Sequence, residues 1–310
     1  MAKYRFYTAD VFTDVIFGGN QLAVFPDARG IPDSLMQKIA REFNLSETAF
    51  VFPPVQSDRT KQLRIFTPGT ELPFAGHPTI GTAHVLAAIG EILLEEETTV
   101  IFEEGVGPVN VVIYAQNGQP VSAYLSAAQL PQVGPNPPEP SILAAILGLH
   151  EDDLLVGEWS SAAVSCGVPF LFVPVRDRNA LRQASVSREH WNSYLKTFWA
   201  PHLYVFCFDP ELPGSDLRAR MFAPAMGIEE DPATGAAASA LAGYLGDRNS
   251  ISDGVIQWIV EQGFEMNRPS IINVQAQKVD GQIVAVRVGG QSVMVSEGVI
   301  EIPDELLNKN

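Results

Sequence analysis

The sequence predicts an α+β protein built of two similar halves. Three observations carry that expectation. A block of residues recurs about half a chain apart. Strand-like segments dominate, without regular strand–helix alternation. Five prolines crowd the middle of the chain, between Pro131 and Pro140.

The recurrence is specific. Arg64-Ile65-Phe66-Thr67-Pro68 is followed, after eight residues, by His77-Pro78-Thr79-Ile80-Gly81-Thr82-Ala83. Arg220-Met221-Phe222-Ala223-Pro224 is followed, after six, by Asp231-Pro232-Ala233-Thr234-Gly235-Ala236-Ala237. Both read Arg-x-Phe-x-Pro, then x-Pro-x-x-Gly-x-Ala, and each leads from a strand into a helix of small residues. One such match arises readily by chance. Two linked blocks in the same order mark a duplication.

The elements follow from residue patterning. Residues 4–12 and 21–25 read as strands, and Pro32 to Phe43 as a helix with Leu35, Met36, Ile39, Ala40 and Phe43 on one face and Asp33 or Ser34 as its cap. Thr48–Phe52 and Leu63–Thr67 read as strands, and Pro78–Gly90 as a small-residue helix ended by glycine. Strands are expected at Val100–Phe102, Val109–Tyr114 and Val121–Leu125, followed by the Pro-rich segment as a linker. Beyond it come a helix at Ser141–Leu147, strands at Phe170–Val175 and Leu203–Phe208, and a second small-residue helix from Ala233 to Leu245. The end is strand-rich, over Ile271–Val274, Ile283–Val288, Val293–Val295 and Val299–Ile302. A doubly wound parallel sheet is disfavoured by this order.

A chain of 310 residues is long enough for two domains, expected at 1–128 and 129–292, with the final strand, about 293–310, returning to the first. With 46% apolar and 18% charged residues the composition is globular. The net charge of −16 repels phosphate backbones and argues against nucleic acid as a partner. Local donors still permit a small anionic metabolite. No apolar run reaches the length of a membrane span, and Met1-Ala2-Lys3-Tyr4-Arg5-Phe6 runs straight into strand alternation, so a cytoplasmic protein without membrane partner is expected. Cys166 and Cys207 form no Cys-x-x-Cys pair, and the histidines show no ligand spacing. No Gly-x-Gly-x-x-Gly or Walker loop appears, so no metal, nucleotide or flavin is expected.

The chemistry concentrates at the two helix starts. Proline suits a first helical turn, which puts His77 and Asp231 at or near the N-caps, where unpaired N–H groups and the helix dipole attract anions. Gly81 and Gly235 allow close approach. Taken alone, Asp231 reads as a cap and His77 as a capping or core histidine. A titratable group at the same position in both repeats shifts the balance toward function. Glu47, taken alone, reads as a surface or capping glutamate beside the apolar run Ala49-Phe50-Val51-Phe52. Cys166 precedes a strand rather than a helix, and both cysteines read as buried apolar residues.

Several segments together resemble the PhzF-like phenazine-biosynthesis family of the diaminopimelate epimerase superfamily. They are Gly18-Gly19-Asn20-Gln21-Leu22-Ala23-Val24, Leu45-Ser46-Glu47-Thr48-Ala49-Phe50, the two repeat blocks, Glu71-Leu72-Pro73-Phe74-Ala75-Gly76 and Gly167-Val168-Pro169-Phe170-Leu171. The resemblance implies two pseudo-symmetric domains, each an incomplete β-barrel around a central helix, with the active site between them. It implies Glu47 as general acid/base, with His77 and Asp231 assisting. It also implies substrate contacts near Asn20, Gly76, Gly235 and Ala236, no cofactor, and a homodimer. The epimerases of the superfamily use two cysteines where this chain has His77 and Asp231. Family members often carry serine where this chain has Ala236. The expected activity is cofactor-independent isomerisation of a small carboxylate-bearing metabolite by proton transfer. The alternatives are a two-base racemase or epimerase, and an inactive binding scaffold.

Overall fold

A computed structural model describes residues 1–307, so residues 308–310 of the expected returning strand lie outside the described residues. The chain forms two compact units, Met1–Ser126 with the chain from Gly289 onward, and Ala127–Val288.

The first unit opens with β1 (Ala2–Val11) and β2 (Asn20–Phe25), which pair antiparallel. Helix α1 (Asp33–Phe43) crosses over to β3 (Glu47–Phe52), parallel to β2. Neither Asp33 nor Ser34 caps α1: Pro32 holds the cap position in extended backbone, and Asp33 accepts from Arg64 Nη1 at 2.6 Å. The apolar face of α1 packs Met36, Ile39 and Ala40 onto Phe25, Phe50 and Phe66. Strand β4 (Lys61–Phe66) runs antiparallel to β3 and to the short β5 (Glu71–Leu72). Helix α2 (Gly76–Ala88) follows. Then come β6 (Glu97–Glu104), parallel to β4, and the antiparallel β7 (Gly107–Gln116) and β8 (Gln119–Ser126).

Helix α2 is buried from Gly76 to Ala87, with no solvent face. That is why its residues are small and apolar all round. A side chain at Gly81 would run into Val11 and Leu22, so the helix sits against β1 and β2 only because residue 81 is glycine.

The second unit repeats the plan. After β9 (Gln132–Val133) and α3 (Pro140–Leu147), β10 (Ala162–Ser165) and β11 (Pro169–Pro174) pair antiparallel. Helices α4 (Arg178–Gln183) and α5 (Arg188–Tyr194), absent from the periodicity reading, cross to β12 (His202–Cys207), parallel to β11. Strand β13 (Leu217–Ala223) is antiparallel to β12 and to β14 (Ile228–Asp231). The buried helix α6 (Gly235–Asp247) follows, then β15 (Gly254–Gln262), parallel to β13, and the antiparallel β16 (Ser270–Val279). Each unit is thus an incomplete barrel wrapped on one central helix.

Two sequence readings change. The Pro-rich run is not a free linker: β9 pairs with β10, and Pro131 fills the space that a side chain at Gly243 of α6 would need. The last three short strands expected near the end are one strand, β17 (Gln282–Ile302), which pairs with β1 from Ala2↔Ile302 to Val11↔Ser292. Glycines break its residue pattern but not its backbone. A side chain at Gly289 would strike Tyr124, and one at Gly298 would strike Phe6.

The repeated Arg-x-Phe has a physical role. Arg64 Nε and Nη2 donate to Glu71 Oε1 and Oε2 at 2.7 and 2.8 Å, with the guanidinium 5.3 Å from the Phe66 ring centre. Arg220 Nε and Nη2 donate to Glu230 Oε1 and Oε2, both at 2.8 Å, over Phe222 at 4.8 Å. Each arginine clamps its strand to the segment that enters the central helix. Arg220 also donates to the carbonyls of Leu181, Arg182 and Ala184.

The two clamps differ in burial: the Arg220 and Glu230 side chains are 10% and 16% exposed, the Arg64 and Glu71 side chains 24% and 42%. Removing one partner of a buried pair leaves an uncompensated charge, so Arg220→Met is expected to lower stability by about 3 kcal/mol. Arg64→Met is expected to cost under about 1 kcal/mol. Urea unfolding of both variants checks this, and equal losses would contradict it.

Candidate active site

On β3, Phe50 packs against α1, so residues 47, 49 and 51 face the other way, toward α2. That alternation turns the first residue of the strand, Glu47, inward. Its carboxylate Oε2 lies 2.9 Å from His77 Nε2 in the first turn of α2, and both side chains are buried. Asn20, the first residue of β2, brings Nδ2 within 3.4 Å of His77 Nδ1. An amide nitrogen can only donate, so this contact makes Nδ1 the acceptor and leaves the ring proton on Nε2. The preceding Gly19 has φ 59°, and a side chain there would collide with the Val11 carbonyl. Glycine at position 19, just before Asn20, is therefore a backbone requirement.

The residue before α2 is Ala75, which caps it without a side-chain bond, so Gly76 and His77 are its first two residues. The expectation that His77 and Asp231 share the cap position changes here. Helix α6 starts later, at Gly235, with Thr234 as its cap, and Asp231 ends β14 three residues earlier. Gly81 lies a full turn inside α2, and the counterpart of Gly235 in the fold is Gly76, since each opens its 13-residue helix.

Within the second unit, Asp231 Oδ2 accepts a short hydrogen bond from Thr234 Oγ1. Gln262 Nε2 donates to the Asp231 carbonyl at 2.8 Å and to Thr234 Oγ1 at 3.0 Å. Its Oε1 accepts from Thr234 N and from Tyr204 Oη, both at 3.2 Å. Burial, reinforced by the Asp231 charge, raises the Tyr204 phenol well above its ordinary value and keeps it a donor. Ala236 is half-buried, one residue into α6. Ser239, a turn deeper, donates to the Gly235 carbonyl and supplies no substitute hydroxyl.

The structure thus joins Asn20, Glu47, Gly76 and His77 in one unit, and Asp231, Gly235 and Ala236 at one helix start in the other. Gln262 and Tyr204 escaped the sequence reading. A signal existed for the first: Glu103-Glu104-Gly105 and Glu261-Gln262-Gly263 are a further copy of the repeat.

The remaining candidates fall away on chemistry. Burial pushes the Cys166 thiol up to about 12 and that of Cys207 up to about 11, so neither is a nucleophile at neutral pH. Among the described residues no group of three or more His, Cys, Asp or Glu side chains could hold a metal ion. No helix among the described residues is long and apolar enough to cross a membrane.

A family model described as phenazine biosynthesis-like protein (PhzC-PhzF) matches residues 9–298. The chain belongs to the PhzC-PhzF family. An uncharacterized isomerase of Mesorhizobium japonicum is 37% identical over 97% of this chain and 100% of its own. The trans-2,3-dihydro-3-hydroxyanthranilate isomerase of Pseudomonas aeruginosa is 35% identical over 95% of this chain and 98% of its own. Among solved structures, a Bacillus anthracis phenazine biosynthesis protein of the PhzF family superposes with a TM-score of 0.87 at 26% identity, covering 97% of this chain and 100% of that one. This PhzF-family chain is an enzyme of the isomerase class.

Two histidines outside the site give a pH test of the fold. Burial pushes His84 and His202 from 6.5 down to about 4. As pH falls the unfolded chain takes up these protons first. Their contribution is therefore full above about 6.5 and is lost as pH falls toward about 4. Each adds a slope of up to about 1.4 kcal/mol per pH unit. Melting temperature against pH should flatten over that window in the double variant His84→Leu, His202→Leu. An unchanged slope would show that neither histidine is buried neutral.

Proposed function

We propose that this chain isomerises a small carboxylate-bearing metabolite by moving a proton between two carbons, with Glu47 as the general acid/base. The 2.9 Å contact of the buried Glu47 with His77 carries the reading. A carboxylate beside a neutral Nε2–H donor, with that imidazole held from behind by Asn20, is a preorganised proton-transfer pair.

The step balances without an external reagent. The Glu47 carboxylate takes a proton from carbon, and the C–H electron pair moves into an adjacent π system. The double bond shifts, and the Glu47 carboxyl, after exchanging its proton with solvent, delivers one to a carbon at the far end. First-turn amides near Gly76 and His77 suit the substrate carboxylate or a developing enolate-like oxygen. Asp231 and the amides at Gly235 supply the second set of contacts if the substrate lies between the two units. The Pseudomonas aeruginosa relative is named for a hydroxylated, ring-borne carboxylate. A substrate of that class, lacking the hydroxyl contact a serine would give at Ala236, fits the residues present. The same reading takes the protein as a cytoplasmic homodimer working without a cofactor.

The test uses trans-2,3-dihydro-3-hydroxyanthranilate and related cyclic carboxylates in D₂O. An isomer with deuterium on the accepting carbon is expected, and Glu47→Gln should lower turnover by about 10²–10⁴-fold, the usual share of general acid–base catalysis. A Glu47→Gln enzyme of full activity would remove Glu47 from the mechanism. Exchange that scrambles one stereocentre without moving a double bond would replace isomerisation by two-base epimerisation.

A further inference from the structure

The duplication assigns a role to a residue outside the site. The strand registers of the two units superpose residue for residue. Arg64 pairs with Phe50 and Arg220 with Val205. Two residues before each arginine, Gln62 pairs with Glu103 and Arg218 with Glu261. The equivalence of Glu103 and Glu261 is also chemical. Glu103 accepts from the amides of Val55 and Gln56 at 2.6 and 3.0 Å, and Glu261 from those of Leu212 and Glu211 at 2.6 and 2.8 Å. The next residues, Glu104 and Gln262, are therefore counterparts. The following Gly105 and Gly263 also match, since a side chain at either would strike the proline before its central helix, Pro73 or Pro232.

Gln262 holds the turn into α6 as a neutral donor: its amide gives a proton to Thr234 Oγ1, and Thr234 gives its own to Asp231. Glu104 meets the first turn of α2 through a different threonine, one inside the helix. Thr79 Oγ1 lies 2.7 Å from Glu104 Oε1 and 2.8 Å from the Ala75 carbonyl. A hydroxyl has one proton and cannot donate to both. The carbonyl can only accept, so the proton between Thr79 and Glu104 belongs to Glu104.

We propose that Glu104 sits in the folded protein as a neutral carboxylic acid and acts as a positioning residue: its O–H donates to Thr79, Thr79 donates to Ala75, and this chain sets the first turn of α2 and the placement of His77. The surroundings agree. Glu104 is 8% exposed, and its Oε2 has no partner among the described residues. Burial pushes its carboxyl up to about 8. The charged and titratable groups of the adjoining elements are engaged elsewhere. Arg59, which lines the same cavity as Glu104, pairs with Asp58, Lys61 with Glu91, Arg64 with Glu71 and Asp33, Glu103 with two amides, and His77 with Glu47, while His84 is neutral.

The consequence for turnover rests on the proposed role of His77, but the test does not need a substrate. The experiment compares Glu104→Gln and Glu104→Ala in the full chain, by thermal melts from pH 5 to 9 and by the imidazole NMR signals of His77, assigned through their loss in His77→Asn. The unfolded carboxyl ionises near its ordinary value while the folded one stays protonated to about 8, so the native protein loses stability as pH rises across that interval. Glu104→Gln is expected to leave the His77 signals in place and to raise Tm by an amount that grows from pH 5 to 8. Glu104→Ala is expected to move the His77 signals and lower Tm at every pH. The proposal is overturned if Gln lowers Tm at pH 7 or shifts His77, or if a folded Ala variant leaves the His77 signals unmoved. Loss of isomerase turnover with these signals unchanged would instead count against the proposed function.

Discussion

Each unit depends on burying a whole helix at its centre. A helix without a solvent face leaves backbone groups at both ends that water cannot reach, so the protein must pair them from side chains. Much of the unusual chemistry in this chain answers that demand. Bidentate Arg–Glu clamps brace the segments that lead into α2 and α6. Gln262 and Glu104 pin the turns themselves. At the far end of α6 the buried Lys278 ammonium donates to the carbonyls of Gly246 and Asn249, a cation where the helix dipole is negative.

The same demand creates the candidate site. A helix start walled by strands concentrates N–H donors in a place of low dielectric, where a carboxylate ligand gains most from them. Strand alternation then aims one residue per crossing strand at that place. In the first unit it is Glu47, and the His77 turn is held rigidly enough to keep Nε2 and the carboxylate 2.9 Å apart. Structural support and the proposed catalytic placement are here the same set of bonds.

Duplication followed by divergence accounts for the chemical asymmetry. Matching registers put His202 of β12 where Glu47 stands in β3, since Phe170 pairs with His202 as Leu22 does with Glu47. The strand pairing puts Asp231 opposite Leu72, since Met221 pairs with Asp231 as Ile65 does with Leu72. Counted from the clamp glutamates Glu71 and Glu230, the two helices begin at the same point, Gly76 and Gly235, so the sequence match of His77 with Asp231 is not an equivalence in the fold.

The repeat blocks and their small-residue helices alone determined the duplicated plan, because a fully buried helix tolerates few residue types and a clamp needs its arginine and aromatic floor in fixed order. Glu47 was legible only through its resemblance to a family, since one glutamate beside an apolar run carries no sign of which way it points. Tertiary structure decided the rest: that Asp33 serves Arg64 rather than its own helix, that the Pro-rich run packs against α6, that Asp231 precedes its helix instead of capping it, and that Glu104 and Gln262 hold the two turns. Each of these depends on a contact between residues far apart in the chain, and local pattern records periodicity and turn chemistry but not which distant group will arrive to accept a proton.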